Sequence, residues 1–254
     1  MARTRRRLVA ILLLTAFGAV LFSGLGVWQV ERRAWKLDLI AHVSARLAAD
    51  PVAAPGPADW PRVEAAEDAY RKVRVSGVFG PEETFVQAVT ELGGGFWVMA
   101  PFVTDEGFTI LVNRGFISPD LRDPVTRPLP EGHRTVTGLM RMSEPGGGFL
   151  RANVPAENRW YSRDVEAIAA AANIGAVAPY FIDASEPTGA GPVAGLTVVT
   201  FRNSHLVYAI TWFALAAMCI GAAIIAIRHE RGRSPAKGTA GRRERPQRGL
   251  PSLG

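Results

Sequence analysis

The chain has 254 residues but only one cysteine, Cys219, and that cysteine lies inside an apolar run. No disulfide can form within the chain, and thiolate-based zinc, copper or iron–sulfur sites drawn from one chain are excluded. Histidine is also scarce, with four residues, and no His-Glu-x-x-His pair is present. The strand–turn Gly-x-Ser-x-Gly of a nucleophile elbow is missing. Ser204 and His205 are adjacent in sequence, which does not build a triad. Two glycine runs, Gly93-Gly94-Gly95 and Gly146-Gly147-Gly148, lack the Lys-Ser/Thr that a phosphate-cradling loop needs. Carboxylates are numerous but scattered, and no pair can be assigned acid and base roles. The chain has no internal repeat. These absences leave no catalytic constellation, so the sequence reads as that of a protein that is not an enzyme.

Charge is absent from two further stretches, residues 8–27 and 206–227, each at least 20 residues long. At about 1.5 Å rise per residue, each is long enough as a helix to cross a hydrocarbon core of roughly 30 Å. The first run exceeds the apolar core of a signal peptide, and no small-x-small cleavage site precedes Trp28; an uncleaved anchor over residues 8–28 is expected. The net charge of +6 could suggest a nucleic-acid binder, but it is segregated. Residues 1–7 carry four arginines, and residues 228–254 carry eight Lys/Arg against Glu230 and Glu244. Residues 29–205 hold 17 basic and 21 acidic side chains. Basicity thus belongs to the flanks of the apolar runs, which argues against nucleic acid and for a lipid bilayer. By the positive-inside rule both termini are expected on the cytoplasmic side of a cell membrane, with residues 29–205 outside. Residues 228–254, rich in Gly, Pro, Arg and Ser, read as a disordered basic tail.

Between the spans, helical periodicity runs on from Trp28 through residues 29–40, with Trp28 and Trp35 seven residues apart on nearly one face. Four prolines in residues 48–61 predict a loop. Residues 70–79 alternate, with Val73, Val75 and Phe79 on one side and Lys72, Arg74 and Ser76 on the other, as a half-buried strand does. Residues 83–90, 96–104, 108–116, 135–142, 180–183 and 197–201 continue the β character. Turns are expected at Gly93-Gly94-Gly95, at Asp105-Glu106-Gly107 and at 144–148. The proline-containing stretch 118–133 reads as a long loop. An alanine-rich helix over 165–173 has Asp164 as its N-cap. The fold class that follows is an α+β membrane protein, with two transmembrane helices flanking a β-dominated, antiparallel extracytoplasmic domain.

Polar and aromatic residues crowd the entrance of the second span: Asn203, His205, Tyr208, Thr211 and Trp212. On a helix, His205, Tyr208 and Trp212 fall within a sector of about 60° at ~100° per residue. Two readings stand. Tyr and Trp are enriched at membrane interfaces, so a belt accounts for them. Alternatively, one imidazole on an aromatic-lined face can supply an axial ligand to a haem iron. His42, on the amphipathic helix, and His133, in a proline-rich loop, read as solvated surface. Trp28, Gln29, Arg32 and Trp35 leave the first span at the same outer surface. The topology can therefore bring both clusters together as one composite site for a partner membrane protein or a flat amphipathic cofactor.

Five motifs in order resemble the surfeit locus protein 1 family: Leu25-Gly26-x-Trp28-Gln29-x-x-Arg32-x-x-Trp35-Lys36; residues 70–77; Val112-Asn113-Arg114-Gly115-Phe116; Asn153-x-Pro155-x-x-Asn158-x-Trp160-Tyr161-x-Arg163-Asp164; and Asn203-x-His205-Leu206-x-Tyr208-Ala209-x-Thr211-Trp212. Each alone is weak; the succession is specific and spans residues 8–227. The resemblance implies an assembly factor for haem–copper cytochrome c oxidase that assists maturation of subunit I, with transient handling of haem a and contact with the haem A synthesis machinery. It implies His205 as the haem-ligand candidate, with Tyr208 and Trp212 around it, and Trp28, Gln29, Arg32, Trp35 and Asn203 toward a partner. A bacterial-type member is expected, since no transit peptide precedes the first span. The family's Gly-Gly-x-Thr turn before the histidine is replaced here by Ala194-Gly195-Leu196-Thr197. The competing reading is a membrane-anchored extracytoplasmic binding or sensor module. Against a sensor, the 27 residues after Ile227 are too few and too polar to fold into an output domain.

Overall fold

The structure is a computed structural model that describes residues 2–123, 125, 127–148, 150–197, 201 and 203–233. Most of the expected strand over 197–201 and of the tail, residues 234–254, lies outside those residues. The chain divides into two compact units, one of Leu37–Arg202 and one of Met1–Lys36 with Asn203–Gly254.

The helical unit pairs the first part of α1 (Ala2–Ala48) with α4 (His205–Arg233). Both helices are long and apolar enough to cross a membrane, and their apolar side chains are exposed rather than covered by protein. Leu13, Leu14, Phe17, Val20, Ile210 and Ile225 all face outward. A core helix of a soluble domain buries such residues, so this is a membrane protein. The two helices run antiparallel, because Gln29 meets His205, Phe22 meets Trp212 and Gly18 lies against Cys219. The seam is lined by small residues, with Gly26, Ala209 and Ala216 buried. Glycine and alanine let membrane helices approach closely where lipid supplies no hydrophobic drive. Within the stretch expected to be a disordered tail, residues 228–233 continue α4.

The β unit contains β1 (Val52–Ala53), β2 (Lys72–Phe79), β3 (Thr84–Thr90), β4 (Gly93–Thr104), β5 (Thr109–Ile117), β6 (Arg134–Met142) and β7 (Val177–Ala184). They form one sheet in the order β1-β2-β6-β7-β5-β4-β3, and β2 also pairs with β4. That extra pairing closes five strands, β2, β6, β7, β5 and β4, into a barrel, leaving β3 and β1 as outer additions. Antiparallel pairing predominates, as expected; β1–β2 and β5–β7 are parallel. Val73, Val75, Phe79, Phe102, Ile110, Val112, Met140 and Ile182 fill the interior. The barrel is therefore a packed core and not a ligand cavity. A second core lies outside the ring. There α3 (Val165–Ala171), the next helix after the short α2 (Ala65–Asp68), packs its Val165 and Ile168 on Leu111, Trp160 and Phe181. Asp164 caps α3 as expected, its Oδ1 accepting from Ala167 N at 3.2 Å.

Two expectations are corrected. Residues 48–61 are not wholly loop, because Val52 and Ala53 pair in parallel with Val73 and Arg74. Gly93-Gly94-Gly95 is not a turn but the start of β4, opposite Thr90, Val89 and Ala88. Glycine serves packing there: a Cβ on Gly95 would lie 2.2 Å from Ile117 O.

Barrel closure rests on a close approach at Gly77, which pairs with Arg134 on β6 and Thr104 on β4. A Cβ there would lie 2.0 Å from Val103 O, a backbone atom that cannot rotate away. Gly77→Ala is expected to destabilise the protein by about 1–3 kcal/mol through overpacking at the seam. Denaturant unfolding of the detergent-solubilised chain checks this; an unchanged midpoint would contradict the closure.

Candidate functional site

One end of the helix pair, where α1 leaves its apolar run and α4 begins, holds the polar groups that the apolar spans lack. His205 is the first residue of α4, preceded by Ser204, whose carbonyl accepts from Val207 N and Tyr208 N. Its Nδ1 lies 2.7 Å from Oε1 of Gln29 on α1. Gln29 is only 8% exposed. A buried amide without a partner is costly, and here the partner is the imidazole. About two turns further into the apolar spans, Phe22 and Trp212 stack with ring centroids 5.7 Å apart and an interplanar angle of 19°. Gly26 leaves room for the Phe213 ring, which a Cβ at that position would meet at 2.7 Å. The His205–Gln29 pair thus stands on an aromatic layer. Nε2 of His205 makes no hydrogen bond among the described residues.

The structure brings together some of the expected site residues and separates others. His205 and Gln29 touch, and Trp212 lies on the same face of α4, half-buried against Phe22. Tyr208 shares their sector but is 55% exposed. On α1, at ~100° per residue, Trp28 and Trp35 lie roughly 100–120° from Gln29 and Arg32 about 60° from it, all to the same side. Trp28 is 53% exposed, and the Arg32 guanidinium lies 4.0 Å from the centroid of the exposed Trp35 ring. Asn203 is half-buried, and its Oδ1 has no hydrogen-bond partner among the described residues. Phe22 and Phe213 were not singled out from the sequence. The signal for the seam was there, in the alternating four- and three-residue steps of His205, Ala209, Trp212, Ala216 and Cys219.

The polar centres of the β unit are occupied by their own partners. Glu83 accepts from Arg114 Nη1 at 2.5 Å and from Arg127 Nη1, and both arginines are fully buried. Burial lowers the Arg114 pKa; Glu83 opposes that and Arg127 adds to it. Asp183 is equally engaged, accepting from Asn113 Nδ2 at 2.8 Å, Arg141 Nη1 at 2.7 Å, Arg163 Nη1 at 3.2 Å and Thr197 Oγ1 at 2.8 Å. Burial alone would lower the Arg163 pKa, but Asp183 and Glu144 outweigh it and raise it. Asn153 Oδ1 accepts from Tyr161 N and Ser162 N, and Asn158 Oδ1 from Trp160 Nε1. The motifs of residues 112–116 and 153–164 therefore build the β unit, whereas those at residues 25–36 and 203–212 each supply one member of the His205–Gln29 pair. Among the described residues no cluster of three or more His, Cys, Asp or Glu can hold a metal ion. His205 could offer only a single donor, which suits an axial position and not a metal cage.

Comparison with known proteins covers most of this arrangement. A family model described as the SURF1 family matches residues 16–217, from within the first span to within the second. Surfeit locus protein 1 of Homo sapiens is 41% identical over 216 residues, covering 76% of this chain and 70% of that protein. The Mus musculus protein of the same name is 40% identical over 215 residues, covering 76% and 68%. A SURF1-like protein of Monosiga brevicollis is 36% identical over 220 residues, covering 79% and 81%.

Proposed function

Since this chain belongs to the SURF1 family, we propose that it is a non-catalytic assembly factor for haem–copper cytochrome c oxidase, assisting insertion of haem a into subunit I or maturation of that subunit. The observation that carries the reading is His205, held by Gln29 at the outer end of the helix pair with Nε2 unengaged.

The residues fit a haem ligand in three respects. The donor is one imidazole, sufficient for an axial position. It shares one sector of α4 with an exposed and a half-buried aromatic side chain, Tyr208 and Trp212, suited to a flat amphipathic ring. The barrel interior is filled by apolar side chains and would not hold such a ring. When bound, haem a would supply the redox-active iron that the oxidase requires. This chain's residues would hold and orient it, with His205 as the donor and Tyr208 and Trp212 as flanking surface.

Trp28, Arg32 and Trp35 point to a separate task. They form an exposed aromatic–cation–aromatic face on α1, the composition in which protein interfaces are enriched. We assign that face to subunit I or to the haem A synthesis machinery, together with Asn203. The segregated charge favours both termini on the cytoplasmic side of the cell membrane and the β unit outside.

Deleting the gene and measuring oxidase activity together with haem a content of the membranes tests the reading. Both are expected to fall and to return with the wild-type chain. A chain carrying Trp28→Ala and Trp35→Ala is expected to accumulate normally but to co-purify less subunit I. Undiminished activity and haem a content in the deletion strain, with no second copy of the gene, would remove the assembly role.

A further inference from the structure

We infer that Gln29 is a positioning residue for His205, fixing the imidazole as its Nδ1–H tautomer and so presenting the Nε2 lone pair at the outer end of the helix pair. The functional importance of this rests on the ligand reading above; the tautomer itself does not.

The chemistry is set by the atom that faces the ring. Oε1 of an amide only accepts, so the nitrogen 2.7 Å away donates and carries the proton. A neutral imidazole then has its free lone pair on Nε2. Histidines that bind metals commonly give their other ring N–H to a fixed acceptor, which sets both tautomer and ring orientation. Here the acceptor comes from α1 and the ring from α4, so the arrangement exists only when the two spans are paired.

Energetics indicate that the amide is not there to staple the helices. An interhelical hydrogen bond in a membrane contributes little on average, because the unpaired helices find other partners. Gln29 is 8% exposed, in a seam otherwise made of small and aromatic side chains. A leucine of similar size at that position would suit the seam and avoid the cost of burying an amide. What leucine cannot do is accept a proton from Nδ1. Gln29 has therefore an internal task, distinct from the exposed Trp28, Arg32 and Trp35 on the neighbouring face.

The test uses the full chain, labelled with 15N-histidine and reconstituted in lipid nanodiscs. His205 signals are identified by their loss in His205→Ala. Two-bond 15N–1H correlation spectra then read the tautomer without any haem. Wild type is expected to show Nδ1–H. Gln29→Leu is expected to revert to the tautomer mixture of a solvated histidine, and Gln29→Glu to keep Nδ1–H, since a carboxylate also accepts. Titration with haemin, followed by visible absorption, is expected to weaken by about 10- to 100-fold in Gln29→Leu and to recover in Gln29→Glu. A wild-type ring protonated on Nε2, or an Nδ1–H form unchanged in Gln29→Leu, overturns the inference even if haemin binds. If the tautomer responds as expected and no variant binds haemin, the positioning role holds and the ligand reading falls.

Discussion

Glu83→Ala is expected to destabilise the protein by about 3–5 kcal/mol, the largest effect of any single substitution in the β unit. Among the described residues Glu83 is the one carboxylate that contacts Arg114 and Arg127, and neither guanidinium reaches solvent. With it removed, Arg114 keeps only a 3.2 Å bond from Nε to Thr188 Oγ1, and Arg127 keeps the carbonyls of Leu121 and Arg122. Hydrogen bonds to neutral oxygens do not replace a counter-charge for two buried cations. Arg114 is already short of partners, because its Nη2 is buried and makes no hydrogen bond among the described residues. Against a total stability of roughly 5–15 kcal/mol for a typical domain, such a loss also lowers the amount of protein that accumulates. Equilibrium unfolding of the solubilised chain, followed by tryptophan fluorescence, gives the number. Glu83→Gln is expected to recover only part of it, restoring shape and one acceptor but no charge. A change below about 1 kcal/mol for Glu83→Ala would show that Glu83 is not the counter-charge of both arginines.

Asp183→Ala is expected to cost somewhat less, about 3 kcal/mol. Asp183 gathers groups from β5, β6, the segment before α3 and Thr197 beyond β7, so its loss unties more elements than that of Glu83. The smaller figure follows from what stays behind. Arg163 still reaches Glu144 at 2.6 Å and Arg141 at 3.4 Å, so neither cation is left alone. Asn113 loses its side-chain acceptor but continues to receive Gly115 N on Oδ1 at 3.1 Å. A double-mutant cycle with Arg163→Met separates the pair from the rest of the hub. Additive effects would show that Arg163 and Asp183 are not coupled.

These two hubs are what the sequence least discloses. Arg114 and Arg127 are two of 29 basic residues, and nothing local distinguishes a fully buried arginine from a solvated one. Their burial follows from non-local pairings, β2 with β4 and β5 with β7, which no short window contains. The same reason hides β1, two residues long within a proline-rich stretch and paired in parallel with β2. Gly93-Gly94-Gly95 misleads because glycine reads locally as a turn, whereas Gly95 is needed where Ile117 O approaches. Local signals fared better. The alternation of residues 72–79 is the burial alternation of β2, and Asp164 caps α3. The absence of charge marked both helices of the membrane unit.

The candidate site was legible in outline. Placing residues 28–36 and 203–212 at one membrane surface anticipated that the two clusters meet, and His205 with Gln29 do so. Helical periodicity could not assign each side chain its surroundings. Tyr208 and Trp212 lie in one sector of α4, yet Trp212 stacks on Phe22 while Tyr208 faces outward. That difference is made by α1, through Phe22 and the space at Gly26, and a single-helix projection omits the partner.

Under the proposed function, His205 is the residue through which this chain would hold haem a. The most direct test is the visible spectrum of the full chain purified from cells that co-express the haem A pathway, wild type beside His205→Ala. Wild type is expected to carry a bound haem spectrum, and His205→Ala, recovered from the membrane in equal amount, to have lost it. A haem spectrum that survives His205→Ala unchanged contradicts the account.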